Sequence, residues 1–291
     1  MNLSATTIQF TECPRDAMQG IETFIPTAEK IDYLNLLLQV GFDTIDFGSF
    51  VSPKAIPQLR DTAEVLDGLN LENTISKLLA IVANTRGAID ACAFEQIHYL
   101  GFPLSLSETF QHRNTNKSIA EAYPVIGEIQ NLCLKHGKEL IVYLSMGFGN
   151  PYNDPYEPSY IGQAIKRLDL MGIKHILPSD TIGAGNSESI RSLFEFIIPQ
   201  FPHISFGAHL HSNPKTAVEK IDAAYAAGCR KFDTSIKGIG GCPMATDQLV
   251  GNMATETLIQ FVRENKIGHL LNMEKFAVAH AGAERLFAKY H

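Results

Sequence analysis

Long apolar stretches are missing from this chain of 291 residues: none reaches the ~18 consecutive apolar residues that span a bilayer, so no membrane role is expected. Cysteine is sparse. The five (Cys13, Cys92, Cys133, Cys229, Cys242) are odd in number and never spaced as CxxC, which argues against a disulfide framework and against a structural zinc site. Basic residues are outnumbered, 24 Lys and Arg against 31 Asp and Glu, and they form no cluster, so a nucleic-acid partner is not expected. The first residues, Met1 to Ile8, lack a basic region followed by an apolar core; no signal peptide is expected, and the default location is cytoplasmic. Linkers and low-complexity tracts are also absent, which favours one domain.

What is present is ordinary globular composition, 45% hydrophobic and 19% charged, at a length that suits one α/β barrel of ~250 residues with a short extension. Helical patterns alternate with short apolar strands. Thr27 is placed to cap a helix carrying Ile31, Leu34 and Leu38, stopped by Gly41 and followed by Thr44 to Phe47. Ser159 opens a second helix with Ile161, Ala164, Ile165, Leu168 and Met171 on one face, closed by Gly172 before His175 to Leu177. Pro214 suits the first position of a third, behind Ser212 and Asn213, with Val218, Ile221 and Tyr225 as its buried stripe and Gly228 as its end. The joints after Gly41, Gly172 and Gly228 form a weak internal repeat. Strands are expected near 5–10, 43–48, 77–83, 95–100, 139–145, 174–178, 204–210 and 231–235. Eight strands alternating with helices imply a parallel sheet closed into a (β/α)8 TIM barrel over about 3–265, with an additional C-terminal helix in an extension over about 270–291.

In such a barrel, polar residues at strand ends converge on one mouth. The stretch Ile204 to His211 ends in His209-x-His211, and period-two geometry puts both imidazoles on one side as a divalent-metal pair. Two strand-end histidines bonded to their neighbours are the plainer reading. Arg15 and Asp16 close the first strand, where an ordinary ion pair is the alternative. Asp46 ends the second strand and Asp180 follows the sixth, in Ser179-Asp180-Thr181-Ile182-Gly183; either can simply cap the next helix. Lys237-Gly238-Ile239-Gly240-Gly241-Cys242-Pro243-Met244, running on to Gly251-Asn252, is glycine-rich enough to form a lid or to cradle phosphate. Cys242 stands on that loop, whereas Cys92 and Cys133 sit in helix-like apolar contexts expected to be inert.

Six stretches recur together in one family. They are Pro14-Arg15-Asp16-x-x-Gln19, Ser49-Phe50-Val51-Ser52-Pro53-Lys54-x-x-Pro57-Gln58, Asp180-Thr181-Ile182-Gly183-x-Gly185, His209-x-His211, Gly238-x-Gly240-Gly241-Cys242-Pro243 and Gly251-Asn252-x-Ala254-Thr255-Glu256. Over roughly residues 8–265 the chain resembles the hydroxymethylglutaryl-CoA lyases, within the wider group of metal-dependent barrel lyases and synthases. The resemblance implies Mg²⁺ or Mn²⁺ held by Asp16, His209, His211 and Asn252. It gives Arg15 the task of stabilising the enolate oxygen of departing acetyl-CoA and Cys242 that of protonating its carbanion. Asp46 stands where the family usually has glutamate. Asp180, Thr181, Gly240 and Gly241 are implied to contact substrate, and His209 or Asp16 to remove the hydroxyl proton. The implied substrate is an acyl-CoA, the reaction a retro-Claisen cleavage yielding acetyl-CoA and acetoacetate, the setting leucine breakdown or ketone-body metabolism, and the assembly a homodimer.

The chain departs from the family pattern in three places. Ser212-Asn213-Pro214-Lys215-Thr216 stands where Asp-Thr-Tyr-Gly-Gln is common, one extra residue separates Cys242 from Asn252, and Ser145 to Tyr152 lacks the cysteines often found there. Three other readings stay open: a lyase for a related 3-hydroxy-3-methyl-acyl-CoA, a condensing synthase of the isopropylmalate or homocitrate kind, and an inactive metal-binding barrel. The synthase reading leaves Gly-Gly-Cys-Pro unexplained.

Overall fold

Each glycine of the weak repeat ends a helix in the left-handed region, with φ of +88° at Gly41, +79° at Gly172 and +100° at Gly228, and a strand begins three residues later. A computed structural model describes residues 7–241 and 250–290. Its strands are β1 (Gln9–Glu12), β2 (Thr44–Ser49), β3 (Lys77–Ile81), β4 (Ile97–Ser105), β5 (Glu139–Ser145), β6 (His175–Asp180), β7 (Ser205–Phe206), β8 (Ala208–Leu210) and β9 (Lys231–Thr234). β7 and β8 are two halves of one staved position. The ring therefore has eight staves, all parallel, running from β1 through β6 to the β7/β8 pair and β9, which rejoins β1. This is a closed (β/α)8 barrel.

Leu79, Tyr99, Ile141, Tyr143 and Leu177 fill the interior, so the barrel is packed below its mouth. A larger apolar layer lies between strands and surrounding helices. The C-terminal helix, Met273–Tyr290, packs against the helix Thr27–Leu38, with Tyr33 and Phe287 edge to face at 5.8 Å. Among the described residues, no helix is long and apolar enough to cross a membrane.

Several local expectations shift. The first strand lies at 9–12 rather than 5–10, and the fourth runs on to Ser105. The seventh is broken at Gly207, where a Cβ would stand 3.0 Å from Leu177 Cγ and 3.2 Å from Lys231 Cγ. Thr27 is the first helical residue rather than the cap, and its hydroxyl donates to Asp61 instead. Ser159 lies inside the helix Pro158–Leu170, with Glu157 at the cap position. The helix expected to start at Pro214 begins at Ala217, because the Asn213 side chain accepts from the amides of Lys215 and Thr216 and holds a turn there. Its buried face is Ala217, Lys220, Ile221 and Ala224, while Val218 is 49% exposed. A lysine on the buried face has a reason given below.

Candidate active site at the barrel mouth

Strand β1 runs into a short helix, Pro14–Gln19, whose first turn carries Arg15 and Asp16 to the mouth. Proline at the first helical position needs no amide partner, and a carboxylate in the first turn suits the helix dipole. Arg15 is clamped. Its Nε donates to Asp46 Oδ2 at 2.9 Å and Nη2 to the same oxygen at 2.6 Å, while Nη1 donates to Asp16 Oδ1 at 3.1 Å and Gln19 Oε1 at 2.7 Å. Of the five guanidinium N–H groups, one on Nη2 is left to meet a substrate oxygen.

Asp16, His209 and His211 each present a ligand atom, and these atoms lie within 4.8 Å of one another. The two rings stand 5.2 Å apart between centroids, as the alternation of β8 requires, although His211 itself lies just past the strand in an isolated bridge with Asn252. His209 Nδ1 meets Asp233 Oδ2 at 3.1 Å, which leaves Nε2 to face a ligand. Among the described residues, neither buried nitrogen of His211 makes a hydrogen bond of full geometry, although the ring faces the Thr181 backbone, and Asp233 Oδ1 is unpartnered as well. Imidazole nitrogens so weakly partnered beside a carboxylate are what a divalent cation would satisfy. The residues fit such a group. Asn252 reaches the same point, but as placed its Nδ2 donates to Asp16 Oδ2 at 2.6 Å and to the Ile239 carbonyl, so ligation through Oδ1 requires the amide to turn over.

Electrostatics agree with that assignment. Burial pushes His211 down, followed by the neighbouring His209, to about 4, so the ring is a neutral ligand near pH 7. Burial also opposes charge on His209, but Asp233 and then Asp16 outweigh it and raise the ring. For Asp16, burial is overcome by Arg15 and the two histidines, which hold the carboxyl below its ordinary value. Asp46 goes the other way: burial raises it to about 6 against the pull of Arg15.

The cluster opens into a cavity of about 200 Å³ whose lining also includes the apolar Val51, Ile56, Ile81, Pro103 and Phe110. Thr181 lines it, its hydroxyl accepting from the Met146 amide, but Asp180 does not. Asp180 points the other way, accepting from Lys220 Nζ at 2.7 Å and from the Gly185 amide at 3.0 Å. Gly240 has φ +106°, and a Cβ there would lie 2.6 Å from Asn252 Nδ2 and 2.9 Å from the Asp16 carbonyl, so only glycine lets the loop touch the metal-binding group. Gly241 follows with φ +134°. Cys242 lies outside the described residues. Cys13, Cys92, Cys133 and Cys229 are buried, and burial raises each thiol, to about 12 for Cys133 and Cys229.

Sequence reasoning missed Asp233 and Tyr143. Asp233 is legible in the sequence only as a residue of the strand expected near 231–235, yet it is the partner of His209. Tyr143 looks like a core residue of β5, but it lines the cavity and meets the His209 ring edge to face at 5.7 Å.

Fold and site together define a barrel whose mouth carries a His/carboxylate group able to hold a metal ion. The HMGL-like family model matches residues 7–281, and the chain belongs to that family, and with it to the carbon–carbon lyases. It is 31% identical over 284 residues to hydroxymethylglutaryl-CoA lyase YngG of Bacillus subtilis (strain 168), covering 95% of this chain and 91% of that one. It is 30% identical over 246 residues to the 3-hydroxy-3-isohexenylglutaryl-CoA/hydroxymethylglutaryl-CoA lyase of Pseudomonas aeruginosa, covering 84% and 81%. Among solved structures, an HMG-CoA lyase from Acinetobacter baumannii in complex with coenzyme A and 3-methylmalate superposes with a TM-score of 0.91 at 28% identity, over 99% of this chain and 93% of that one.

Proposed function

We propose that this chain cleaves 3-hydroxy-3-methylglutaryl-CoA to acetyl-CoA and acetoacetate, using Mg²⁺ or Mn²⁺. The observation that carries this reading is the grouping of Asp16, His209 and His211 beside a clamped Arg15 in a partly apolar cavity. Asp16, His209 and His211, with Asn252 through its amide oxygen, would hold the cation. Bound there, a divalent cation supplies Lewis acidity toward the substrate's tertiary hydroxyl and a carboxylate oxygen.

The chain's own residues supply the rest. Arg15 directs its remaining Nη2 hydrogen at the thioester oxygen, where negative charge grows as the carbon–carbon bond breaks. Asp46 holds that guanidinium at a fixed angle. The hydroxyl proton goes to His209 or Asp16. Basicity favours His209, raised by Asp233, over Asp16, held low by Arg15. A ring nitrogen that binds the cation has no lone pair left for a proton, so His209 can fill only one role at a time. Cys242, by its motif position, returns a proton to the acetyl-CoA carbanion, and Gly240 and Gly241 are the substrate contacts that precede it. Thr181 contacts substrate from the β6 end. Residues 3–265 and the helix over 270–291 act as one catalytic unit in this reading. A homodimer, a cytoplasmic location and a place in leucine breakdown or ketone-body metabolism belong to it as well.

A second substrate has support in the departures at Ser145 to Tyr152 and Ser212 to Thr216, and in a relative named for a larger isohexenyl group. A related 3-hydroxy-3-methyl-acyl-CoA is that alternative. Chelator-stripped protein is mixed with 3-hydroxy-3-methylglutaryl-CoA, and acetoacetate is followed with and without Mg²⁺ or Mn²⁺. Metal-restored cleavage that collapses in Cys242→Ala and Arg15→Met is expected. A folded, metal-loaded protein that makes no acetoacetate would sink this substrate and turn attention to other acyl-CoAs, then to the synthase reaction.

A further inference from the structure

We propose that Lys220 is a positioning residue for the metal centre: its ammonium fixes the main chain of His211 and thereby the stance of the His211 ring. The inference rests on the reading of Asp16, His209 and His211 as metal ligands.

Lys220 lies in the first turn of the helix Ala217–Ala226 and is 3% exposed. Its Nζ donates to Asp180 Oδ2 at 2.7 Å, to the His211 carbonyl at 2.8 Å and to the Gly183 carbonyl at 3.2 Å. An ammonium has three donors, and all of them end on the two segments that frame the site. The position is otherwise a poor one for lysine. Burying a cation is costly unless it is paired, and a positive charge in the first turn opposes the helix dipole. An apolar side chain would pack this helix face with neither penalty. What lysine adds is a directional link between the turn after β6 and the end of β8.

The two histidines differ in how they are oriented. His209 has Asp233 behind its ring. Among the described residues His211 has no carboxylate behind its ring, which meets only the Thr181 backbone, so its direction depends on packing and on where its backbone stands. That backbone is gripped from two sides. Lys220 holds the carbonyl on one, and on the other the segment carrying Asn252 is bridged through the Ser212 amide to Gly251 O at 3.0 Å and the Met253 amide to Leu210 O at 3.1 Å. The connection from His211 to the helix is the stretch Ser212 to Thr216, and Lys220 supplies an attachment across it. Asp180, the strand-end aspartate, acts here as the lysine's counter-ion.

The test is Mn²⁺ binding by calorimetry and by EPR on the purified full chain, its Lys220→Met and Lys220→Arg variants, and Lys220→Met combined with Asp180→Asn. Loss of a group that orients a metal ligand is expected to weaken Mn²⁺ binding ~10–100-fold in Lys220→Met and to alter the Mn²⁺ EPR line shape. Arginine, which keeps the charge and donors, should restore part of the affinity. If Lys220→Met fails to fold around an unpaired Asp180, the double variant removes that buried charge and decides the question. A folded Lys220→Met or double variant that binds Mn²⁺ as tightly as the parent, whatever its Tm, would make Lys220 a plain core ion pair and overturn the proposal. A parent chain that binds no Mn²⁺, indistinguishable from His211→Ala, would sink the metal reading itself and this role with it.

Discussion

Glu12 offers a quantitative check on how the mouth is assembled. It ends β1, is fully buried, and accepts from the Ile236 amide at 2.7 Å and the Thr255 hydroxyl at 2.6 Å, so one carboxyl ties β1 to the start of the glycine-rich loop and to the helix Thr255–Glu264. Burial raises its pKa from the ordinary 4.5 to about 8, with the hydrogen bonds from Thr255 and Ile236 opposing. Between those values the unfolded chain gives up a proton that the folded chain keeps. Stability from this group is therefore full below pH 4.5 and is lost as pH rises through 8, at about 1.4 kcal/mol per pH unit. From pH 6 to 8 the loss is about 2 kcal/mol, because the slope flattens as the folded chain begins to titrate. Glu12→Gln keeps the shape and an acceptor but cannot ionise, so its stability should fall less over that range by the same amount. Urea unfolding of both proteins at half-unit pH steps measures it, and their difference cancels other groups that titrate alike in both. Parallel curves would refute the reasoning, because a carboxyl already ionised at pH 6, or one hydrated in the folded protein, gives no such divergence.

Asp233→Asn removes the carboxylate behind His209 and should weaken Mn²⁺ binding ~10–100-fold by calorimetry, with the fold unchanged by circular dichroism. Arg15→Lys cannot reproduce the fork that spans Asp46, Asp16 and Gln19; kcat for thioester cleavage should fall ~10²–10³-fold while Mn²⁺ still binds. Gly240→Ala puts a methyl group against Asn252 and the Asp16 carbonyl at a positive φ, and a loss of roughly 1–2 kcal/mol in unfolding free energy should accompany weaker metal binding.

The barrel was legible because its punctuation is local. Gly41, Gly172 and Gly228 each stop a helix one short step before a strand, and the eight strands follow from that rhythm. The metal group was legible through one spacing, His209-x-His211, because alternation along a strand fixes which side a residue faces. The same rule gave no warning about Asp180. It sits directly between Ser179 and Thr181, both on the cavity, and the alternation that puts them inside turns Asp180 out toward Lys220. Asp233 and Lys220 were hidden for another reason. Their meaning lies in partners 24 and 40 residues away, and no local pattern marks a carboxylate as a histidine's partner or a helical lysine as buried. Helix starts failed where side chains found longer-range bonds than caps, as Thr27 did with Asp61.

The charges at the mouth show why its residue types belong together. Asp16, Asp46 and Asp233 bring three negative charges, Arg15 returns one positive, and His211, pushed to about 4, is neutral near pH 7. Buried carboxylates this close cannot all ionise cheaply, and Asp46 reflects it: burial raises it to about 6, with like charge from Asp16 and Asp233 adding to the shift. The carboxylates outnumber the guanidinium, and they raise the His209 ring as well, so the mouth favours added positive charge. Asp46 orients Arg15, because its carboxylate is engaged with the guanidinium through both oxygens. A side chain one methylene longer would have to retract or push Arg15 toward the cavity. The length of the Asp46 side chain thus sets how far the guanidinium reaches into the cavity.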